Sequence, residues 1–303
     1  MTCYSPQTAY RSAKINVKTG KYPVMFVKTQ TNNEPGTFPL PCGQCLGCRL
    51  DKSKAWAIRC MHEIQTSPNP SCFITLTYDP KFLPMDGQLV KRDLQLFIKR
   101  LRFNTKAKIR YYSCGEYGEK FSRPHFHAIL FGYDPPDKHF HKEVKGLPTW
   151  TSEIISKAWQ DQGHALVGTA TFESAAYIAR YILKKQNGEA AHAHYANEDG
   201  IKLNPEFTTM SLKPGIGSDY YDLYKQEMHT TDSVILKSKE MPLPKYYDNK
   251  YEESNPEEYW LAKQLRQLKL KQHAKDLTPA RLKVRLQVQQ ARSRKLLRTF
   301  ETP

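Results

Sequence analysis

The stretch RPHFHAILFG, residues 123–132, indicates how the middle of the chain folds. It contains an apolar run that ends at a glycine, and His125 and His127 flank Phe126 at the start of that run. Such a run is typical of a β-strand. Because the side chains of a strand alternate between its two faces, we expect both imidazoles on one face and Phe126 and Ala128 on the other.

Two imidazoles on one face of a strand can bind a divalent cation, but two ligands are too few for a complete site. The preceding run GEYGEK offers two carboxylates, Glu116 and Glu119. A hairpin that returns through the loop EKFSR would bring Glu116 alongside the histidines, whereas Glu119 would lie nearer the loop. A histidine pair by itself is more often a feature of a half-exposed sheet face that binds no metal.

Residues 173–188, ESAAYIARYILKKQNG, predict a helix that ends at the Asn-Gly pair. Ile178 and Ile182 are four residues apart and form an apolar stripe on one side of this helix. We therefore expect that stripe to pack against the core, which leaves the tyrosines of the helix for another role.

Tyr177, Tyr181 and Lys184 share one face of the predicted helix, because they are spaced by four and three residues. A tyrosine hydroxyl has a pKa near 10 and is a poor nucleophile unless its target is polarised. A metal-bound phosphodiester provides that polarisation, and Lys184 could offset the negative charge. The alternative is that the tyrosines only line the boundary of the core.

The hydrophobic pattern predicts an α+β fold in which a sheet is layered with helices. The other predicted elements are an extended arm with one strand over residues 1–40, amphipathic helices at 48–64 and 92–103, strands at 72–80 and 108–118, a mostly loop region at 191–255, and basic helices after 261 that break near Pro279. No internal repeat is evident, and no G-x-x-x-x-G-K-[ST] phosphate loop occurs, which argues against a built-in ATP motor.

The charge balance favours a polyanionic partner. The chain of 303 residues has 46 lysines and arginines against 30 acidic residues, a formal charge of +16. Nucleic acid is the leading partner and an anionic membrane surface is second. No run of about 18 apolar residues could span a bilayer, and the N-terminus has no apolar core of a secretion signal, so we expect a cytoplasmic protein.

Seven cysteines argue against a disulfide framework, because the number is odd and three of them crowd into CGQCLGC. Cys42, Cys45 and Cys48 could converge on Zn²⁺, with Cys60, His62 or no further side chain in the fourth position. Reduced thiols in a turn braced by glycines are the alternative.

The helix that follows the cysteines has a cationic side. Its basic residues are Arg49, Lys52, Lys54 and Arg59. These side chains could contact phosphates, although a solvated helix face fits the same charges. The segment 261–303 is also basic, with twelve lysines and arginines against two acidic residues. We favour contact with DNA there over a solvated cationic helix.

Three segments, FITLTYD, PHFHAILFG and YIARYILKK, resemble in order and spacing the three motifs of the HUH endonucleases that initiate rolling-circle replication. The two-tyrosine helix resembles the branch found in small icosahedral single-stranded DNA phages. The segment PCGQCLGCRLDKSKAWAIRC is similar to replication initiators of the gokushovirus group of Microviridae. The resemblance covers residues 41–188.

The resemblance implies a ferredoxin- or RRM-like antiparallel sheet, with the histidine strand at its centre and the tyrosine helix packed alongside. Together with the composition, it divides the chain into three segments. These are an N-terminal arm with the cysteine-rich, candidate zinc-binding part (residues 1–70), an HUH endonuclease core (71–190), and a loop-rich region with a basic helical tail (191–303), which has no motif in common with the family.

For the site, the resemblance implies that His125, His127 and Glu116 bind Mg²⁺ or Mn²⁺. Tyr177 or Tyr181 would then attack a phosphate of single-stranded origin DNA. The products would be a 5′-phosphotyrosine and a free 3′-OH that primes synthesis.

The resemblance also implies partners and a location. On the charges of the residues alone, Lys184 could offset negative charge near the tyrosines, and Arg49, Lys52, Arg59 and Arg123 are the candidate DNA contacts. A host helicase would open the duplex and a host DNA polymerase would extend the primer, in the cytoplasm of an infected bacterium.

Two other functions fit the same residues. One is a non-catalytic, metal-stabilised nucleic-acid-binding protein that acts in packaging or regulation. The other is an HUH transposase or plasmid relaxase, which uses the same chemistry in a different genetic context.

Overall fold

A computed structural model describes residues 3–18, 20–28, 37–118, 122–144, 146–184, 195, 200–236 and 238–294, without the side chains of residues 181–184 and 294. The chain divides into two compact units. Unit 1 comprises residues 1–51 and 261–296, and unit 2 comprises residues 52–260 and 297–303. Among the described helices, none has the length and hydrophobicity needed to cross a bilayer.

A seven-stranded sheet forms the centre of unit 2, and all its neighbouring strands are antiparallel. In chain order its strands are β4 (Cys72–Thr77), β5 (Arg110–Tyr117), β6 (Pro124–Phe131), β7 (His139–Val144), β8 (Leu147–Thr151), β9 (Ala165–Thr169) and β10 (Phe207–Met210). Their order across the sheet is β10-β5-β6-β4-β9-β8-β7. The predicted α+β class with an antiparallel sheet is therefore confirmed.

Helices cover both faces of this sheet. They are α1 (Leu46–Thr66), α2 (Lys91–Thr105), α3 (Glu153–Ala158) and α4 (Phe172–Lys184). Helices α2 and α3 pack on one face, in a core cluster that contains Phe126 and Ala128 of β6. Helices α1 and α4 pack on the other face, in a cluster that contains Ile129 and Phe131. Strand β6 thus lies in the interior with both of its faces covered.

Residues 200–255 contain more regular structure than the sequence predicts. Helix α5 (Ser218–Thr231), the hairpin of β11 (Ser233–Leu236) and β12 (Lys239–Pro242), and helix α6 (Lys245–Ser254) follow β10. The prediction of a mostly loop region is wrong here. Aromatic and apolar side chains from α5, β11 and α6 form a third core cluster, which also includes Ile58 of α1.

A buried carboxylate links α1 to the rest of unit 2. Glu63 forms an ion pair with Arg110 of β5, and its other oxygen accepts a hydrogen bond from the backbone N–H of Gly217 at 2.6 Å. Gly217 has φ +77°, and a Cβ atom there would lie 2.5 Å from the Tyr247 hydroxyl, so only glycine fits. The carboxylate therefore fixes the start of α5 against α1.

Unit 1 has little apolar interior. It contains a three-stranded sheet of β1 (Gln7–Arg11), β2 (Val24–Met25) and β3 (Phe38–Leu40), most of α7 (Pro256–Gln272), and α8 (Pro279–Arg294). Helix α8 begins at Pro279, which confirms the predicted break. Among the described residues of unit 1, the buried hydrophobic side chains are those of Cys3, Ala9 and Leu282.

Candidate metal centre and nucleophile

The β5–β6 hairpin brings the two histidines and a glutamate together. Glu116 on β5 is paired directly with His125 on β6, and His127 lies two residues further along the same face. Unbroken pairing from Arg110↔Phe131 to Tyr117↔Pro124 fixes this register. The structure therefore groups the three residues as expected from the sequence.

The three side chains converge on one oxygen atom. Oε1 of Glu116 lies 3.0 Å from Nε2 of His125 and 2.9 Å from Nε2 of His127. Adjacent ligands of an octahedral ion with bonds of 2.0–2.1 Å lie about 3.0 Å apart, so this spacing fits one small divalent cation. Two imidazole nitrogens and a carboxylate oxygen are donors for a divalent cation, with waters or a substrate oxygen completing the shell.

The Glu116 carboxylate is ionised despite its burial. Burial alone would raise its pKa, but the hydrogen bonds and positive charge of His125 and His127 outweigh burial and lower the pKa to about 2. Glu116 and His127 are each 1% exposed. A buried carboxylate in its charged form attracts a cation. Such a cation could replace the protons that Glu116 shares with the histidines.

Both imidazole rings are oriented by their second nitrogen. Nδ1 of His125 lies 3.0 Å from the carbonyl oxygen of Arg123, and Nδ1 of His127 lies 3.0 Å from the Thr75 hydroxyl. With a proton on each Nδ1, each Nε2 would be available to a cation bound beside Glu116. Phe73 stacks on His127 with ring centroids 5.5 Å apart, which further limits rotation of that ring.

Tyr177 completes this cluster. Its hydroxyl donates a hydrogen bond to Oε1 of Glu116 at 3.2 Å, and its ring meets His127 edge to face at 5.1 Å. Tyr177 is 2% exposed and lies in the same core cluster as Ile178. The expected separation of the tyrosines from the isoleucine stripe is therefore wrong at Tyr177, because α4 packs Tyr177 and Ile178 into the same cluster. The side chains of Tyr181 and Lys184 lie outside the described part of the chain.

One edge of the cluster is open to solvent. The His125 side chain is 12% exposed, whereas that of His127 is 1% exposed. Arg123 is exposed beside His125, and its guanidinium donates to the carbonyl oxygen of Tyr78 at 2.7 Å. A phosphate would therefore reach the cluster from the His125 side, where Arg123 adds positive charge.

The basic residues of α1 differ in their surroundings. Lys52 is exposed and Arg49 is half-buried. Arg59 lies between the rings of Trp56 and Tyr246, at 4.2 and 3.9 Å, and donates to the Ile216 carbonyl oxygen at 2.9 Å. Because its guanidinium is held by these contacts, Arg59 is a packing residue and is not a candidate for contact with DNA.

The cysteine cluster has a different membership from the predicted one. The sulfur atoms of Cys42, Cys45 and Cys48 lie together with that of Cys3. Cys60 is fully buried in the cluster under α1 and α4, so its predicted role as fourth ligand is wrong. Cys48 and Cys60 are twelve residues apart on one helix, which separates them by about 18 Å at 1.5 Å per residue.

His62, the other predicted candidate for the fourth position, has a structural role. Its Nδ1 lies 2.8 Å from the Tyr247 hydroxyl, and its ring stacks on Tyr220 at 3.7 Å. Burial lowers its pKa to about 4, so the ring is neutral at pH 7. It helps to hold the third core cluster.

Sequence reasoning missed Cys3 and Thr75. Cys3 stands alone in MTCYSP, 39 residues before Cys42, and no local pattern connects it to the others. Thr75 does carry a usable signal, because a strand paired in register with β6 places one residue opposite His127.

Among the cysteine thiols, burial raises the pKa of Cys45, but hydrogen bonds from the backbone of Cys48 and Tyr4 outweigh burial and bring the pKa to about 7.

Comparison with known proteins identifies relatives among phage proteins. A family model described as a replication-associated protein of the ORF2 type matches residues 71–186, which include β4 to β6 and α4. No solved structure matches the chain significantly.

Three replication-associated proteins of phages are similar to this chain, two of them over 70% or more of their own length. The replication-associated protein VP4 of Bdellovibrio phage phiMH2K is 34% identical over 247 residues, which cover 78% of this chain and 75% of the relative. The replication-associated protein ORF2 of Spiroplasma virus 4 is 35% identical over 236 residues, which cover 73% of this chain and 70% of the relative. The replication-associated protein ORF4 of Chlamydia phage 1 is 29% identical over 220 residues, which cover 70% and 53%. The chain therefore belongs to the family of replication-associated proteins of the Microviridae phages.

Proposed function

We propose that this protein initiates replication of a phage genome by nicking single-stranded origin DNA through tyrosine transesterification. The observation that carries the proposal is the convergence of two imidazoles and the Tyr177 hydroxyl on one carboxylate oxygen of Glu116. A nucleophile and a set of metal ligands at one point form the arrangement that metal-assisted phosphoryl transfer requires. The fold we propose for the core, residues 71–190, is the HUH fold.

His125, His127 and Glu116 would hold Mg²⁺ or Mn²⁺. When bound, the ion supplies Lewis-acid polarisation of the scissile phosphate. The Arg123 carbonyl can accept from Nδ1 of His125 and the Thr75 hydroxyl from Nδ1 of His127, so both imidazoles would present Nε2 to the ion. The exposed side of His125 and the Arg123 guanidinium give the DNA backbone a route to the cluster.

Tyr177 is the nucleophile whose position supports this proposal. Its oxygen would form a bond to phosphorus while the bond between phosphorus and the 3′ oxygen breaks. The net proton transfer is from the phenol to the departing oxygen, so the products are a 5′-phosphotyrosine and a free 3′-OH. The phosphodiester energy is conserved in the protein–DNA link, and the step needs no ATP. Tyr181, one helical turn further along α4, would cut the regenerated origin.

DNA binding and the host partners belong to the same proposal. Lys52, Arg49 and Arg123 would contact phosphates, and Lys184 would offset charge near the tyrosines. A host helicase would open the duplex and a host polymerase would extend the 3′-OH, in the cytoplasm of the infected bacterium.

Trapping the covalent intermediate tests the proposal. The full-length protein is incubated with Mn²⁺ and single-stranded oligonucleotides that tile the phage genome, and SDS-resistant protein–DNA adducts are mapped by mass spectrometry of the linked peptide. We expect an adduct on one oligonucleotide, linked at Tyr177, that is lost in the Tyr177→Phe, Tyr181→Phe double variant. Tyr112→Phe, in the same core cluster but on β5, is the matched control and should keep the adduct.

Two results would contradict the proposal. No adduct on any single-stranded substrate would favour the non-catalytic nucleic-acid-binding alternative. An adduct that persists in the double variant would show that another residue is the nucleophile.

A further inference from the structure

We propose that Cys3, Cys42, Cys45 and Cys48 form a tetrahedral site for a structural Zn²⁺ ion. Their sulfur atoms all lie within 4.8 Å of one another. The Cys3 sulfur lies 3.7 Å from that of Cys42 and 3.9 Å from that of Cys45. All four residues belong to unit 1 and are separate from the imidazole–carboxylate cluster of unit 2.

The sulfur spacing matches a single tetrahedral ion. Four thiolates at the usual Zn–S distance of 2.3 Å stand about 3.8 Å apart along each edge of the tetrahedron. A disulfide would bring two sulfurs to about 2.05 Å, and every described cysteine of the chain is a free thiol. Four soft donors in this geometry select zinc over the hard cations Mg²⁺ and Mn²⁺.

Backbone groups around the sulfurs support the thiolate form. The N–H of Tyr4 donates to the Cys45 sulfur at 3.3 Å, that of Cys42 to the Cys3 sulfur at 3.3 Å, and that of Cys45 to the Cys42 sulfur at 3.2 Å. Helix α1 begins at Leu46, directly after Cys45, so its partial positive charge adds to the stabilisation. Gly43 has φ +73°, the left-handed conformation that lets the chain turn between two ligands.

The weak core of unit 1 gives such a site a structural purpose. Cys3, Ala9 and Leu282 are its buried hydrophobic residues among those described. Small units with too little apolar interior commonly depend on a metal or disulfides. An ion bound to Cys3 and Cys42 would close the segment that contains β1, β2 and β3, and would attach it to the start of α1.

Metal analysis of the full-length protein tests the inference without depending on nicking. The protein is produced with added zinc and no histidine tag, and its metal content is measured by plasma mass spectrometry. We expect about one tightly bound zinc per chain that resists EDTA washing. Exchange for Co²⁺ should give the d–d bands of tetrahedral cobalt and an intense thiolate-to-cobalt charge-transfer band. An imidazole–carboxylate site has no thiolate and cannot give the charge-transfer band.

Variants assign the ligands. Cys3→Ser and Cys45→Ser should lose the bound zinc and the charge-transfer band. Cys60→Ala, another cysteine of α1, and the His125→Ala, His127→Ala double variant should keep both. Cys3→His retains a zinc ligand and should keep cobalt with a weaker charge-transfer band, so it reports on the site even if Cys3→Ser fails to fold.

Three results would overturn the inference. They are wild-type protein that contains no zinc and gives no charge-transfer band with Co²⁺, a Cys3→Ser variant that binds zinc as the wild type does, and purification with iron in place of zinc. Loss of nicking with intact zinc binding would contradict only the proposed function, so the two proposals fail separately.

Discussion

The two units hold their groups of candidate metal-binding residues in place in different ways. In unit 2, Glu116, His125 and His127 come from two paired strands, and the sheet and its helices hold them in place. In unit 1, four cysteines come from the arm and the start of α1, and few of the described residues of that unit are buried and hydrophobic. The first cluster rests on a sheet whose two faces are packed by helices, whereas the second would itself help to build the fold.

The units also differ in charge. Unit 1 has 17 lysines and arginines against three acidic residues, a net charge of +14. Unit 2 has 29 against 27, a net charge of +2. Nearly all of the chain's +16 thus belongs to the smaller unit, so the capacity to attract a polyanion lies mainly outside the unit with the candidate catalytic site.

The first prediction concerns the chemistry of unit 2. His127→Ala removes a buried ligand, and we expect nicking to fall by about 1,000-fold or more while single-stranded DNA binding stays within about twofold, because the basic surface is unchanged. The measurements are the adduct rate and fluorescence anisotropy. His139→Ala, at an exposed position on β7, should behave as the wild type. Full nicking by His127→Ala would rule out the proposed metal centre.

The second prediction concerns the charge of unit 1. Four exposed lysines there, Lys269, Lys271, Lys275 and Lys283, are changed to glutamine together. We expect the affinity for single-stranded DNA at low salt to fall by about 100-fold, and the slope of log K against log salt to shrink by up to about 3.

The control for this prediction changes four exposed lysines of unit 2. These are Lys99, Lys142, Lys225 and Lys239. We expect a much smaller effect on both affinity and slope, because that unit is nearly neutral. Equal effects of the two sets would show that the segregation of charge has no bearing on DNA binding.

The third prediction separates the stabilities of the units and rests on the inferred zinc site. Cys45→Ser should speed cleavage by trypsin within residues 1–51 by about tenfold, because loss of the ion removes the tie between the arm and α1. The peptides of unit 2 should appear at the wild-type rate in the same mass-spectrometric time course. Faster cleavage confined to unit 2 would contradict the assignment of the ion to unit 1.

The fourth prediction tests the buried polar contacts of unit 2. The pKa of His62 is about 4 in the folded chain and near 6.5 when unfolded, because burial disfavours the charged ring. Below pH 6.5 the unfolded chain takes up the proton first, so stability is full above that pH and falls as the pH approaches 4. Between pH 7 and pH 5, protonation of this histidine in the unfolded chain should lower the free energy of unfolding by about 1–2 kcal/mol.

Urea unfolding at both pH values measures this effect. The loss on acidification should be smaller in His62→Gln than in the wild type, whereas His139→Gln, at an exposed position, should show the wild-type loss. An unchanged pH dependence in His62→Gln would show that the ring is not held neutral by its surroundings.

Local patterns predict part of this molecule well. The strand with the H-x-H pair, its hairpin partner with Glu116, and the helices at 48–64 and 92–103 follow from alternation and helical spacing, and the structure contains all of them. These elements are predictable because each buries a continuous apolar face whose period is visible in a short window.

Other parts depend on contacts that no short window contains. The patterns predict no element between residues 133 and 172, which contain β7, β8, α3 and β9. Strand β7 is exposed and polar and lacks the alternation of a half-buried strand. Helix α5 packs through Tyr221 and Met228 against residues of α1 and α6, so its stability comes from distant partners. Cys3 meets Cys42 across 39 residues, and only the folded chain brings them together.

The pairing of Glu116 with His125 has a consequence for recognising such sites in other sequences. Eight residues separate them in this chain, but that number reflects the length of the hairpin loop and has no chemical meaning. A relative with a longer or shorter loop keeps the same ligand geometry as long as the ladder is in register, whereas a slip of one residue would turn the glutamate to the opposite face. A search for this centre should therefore compare strand pairing rather than count the residues between the ligands.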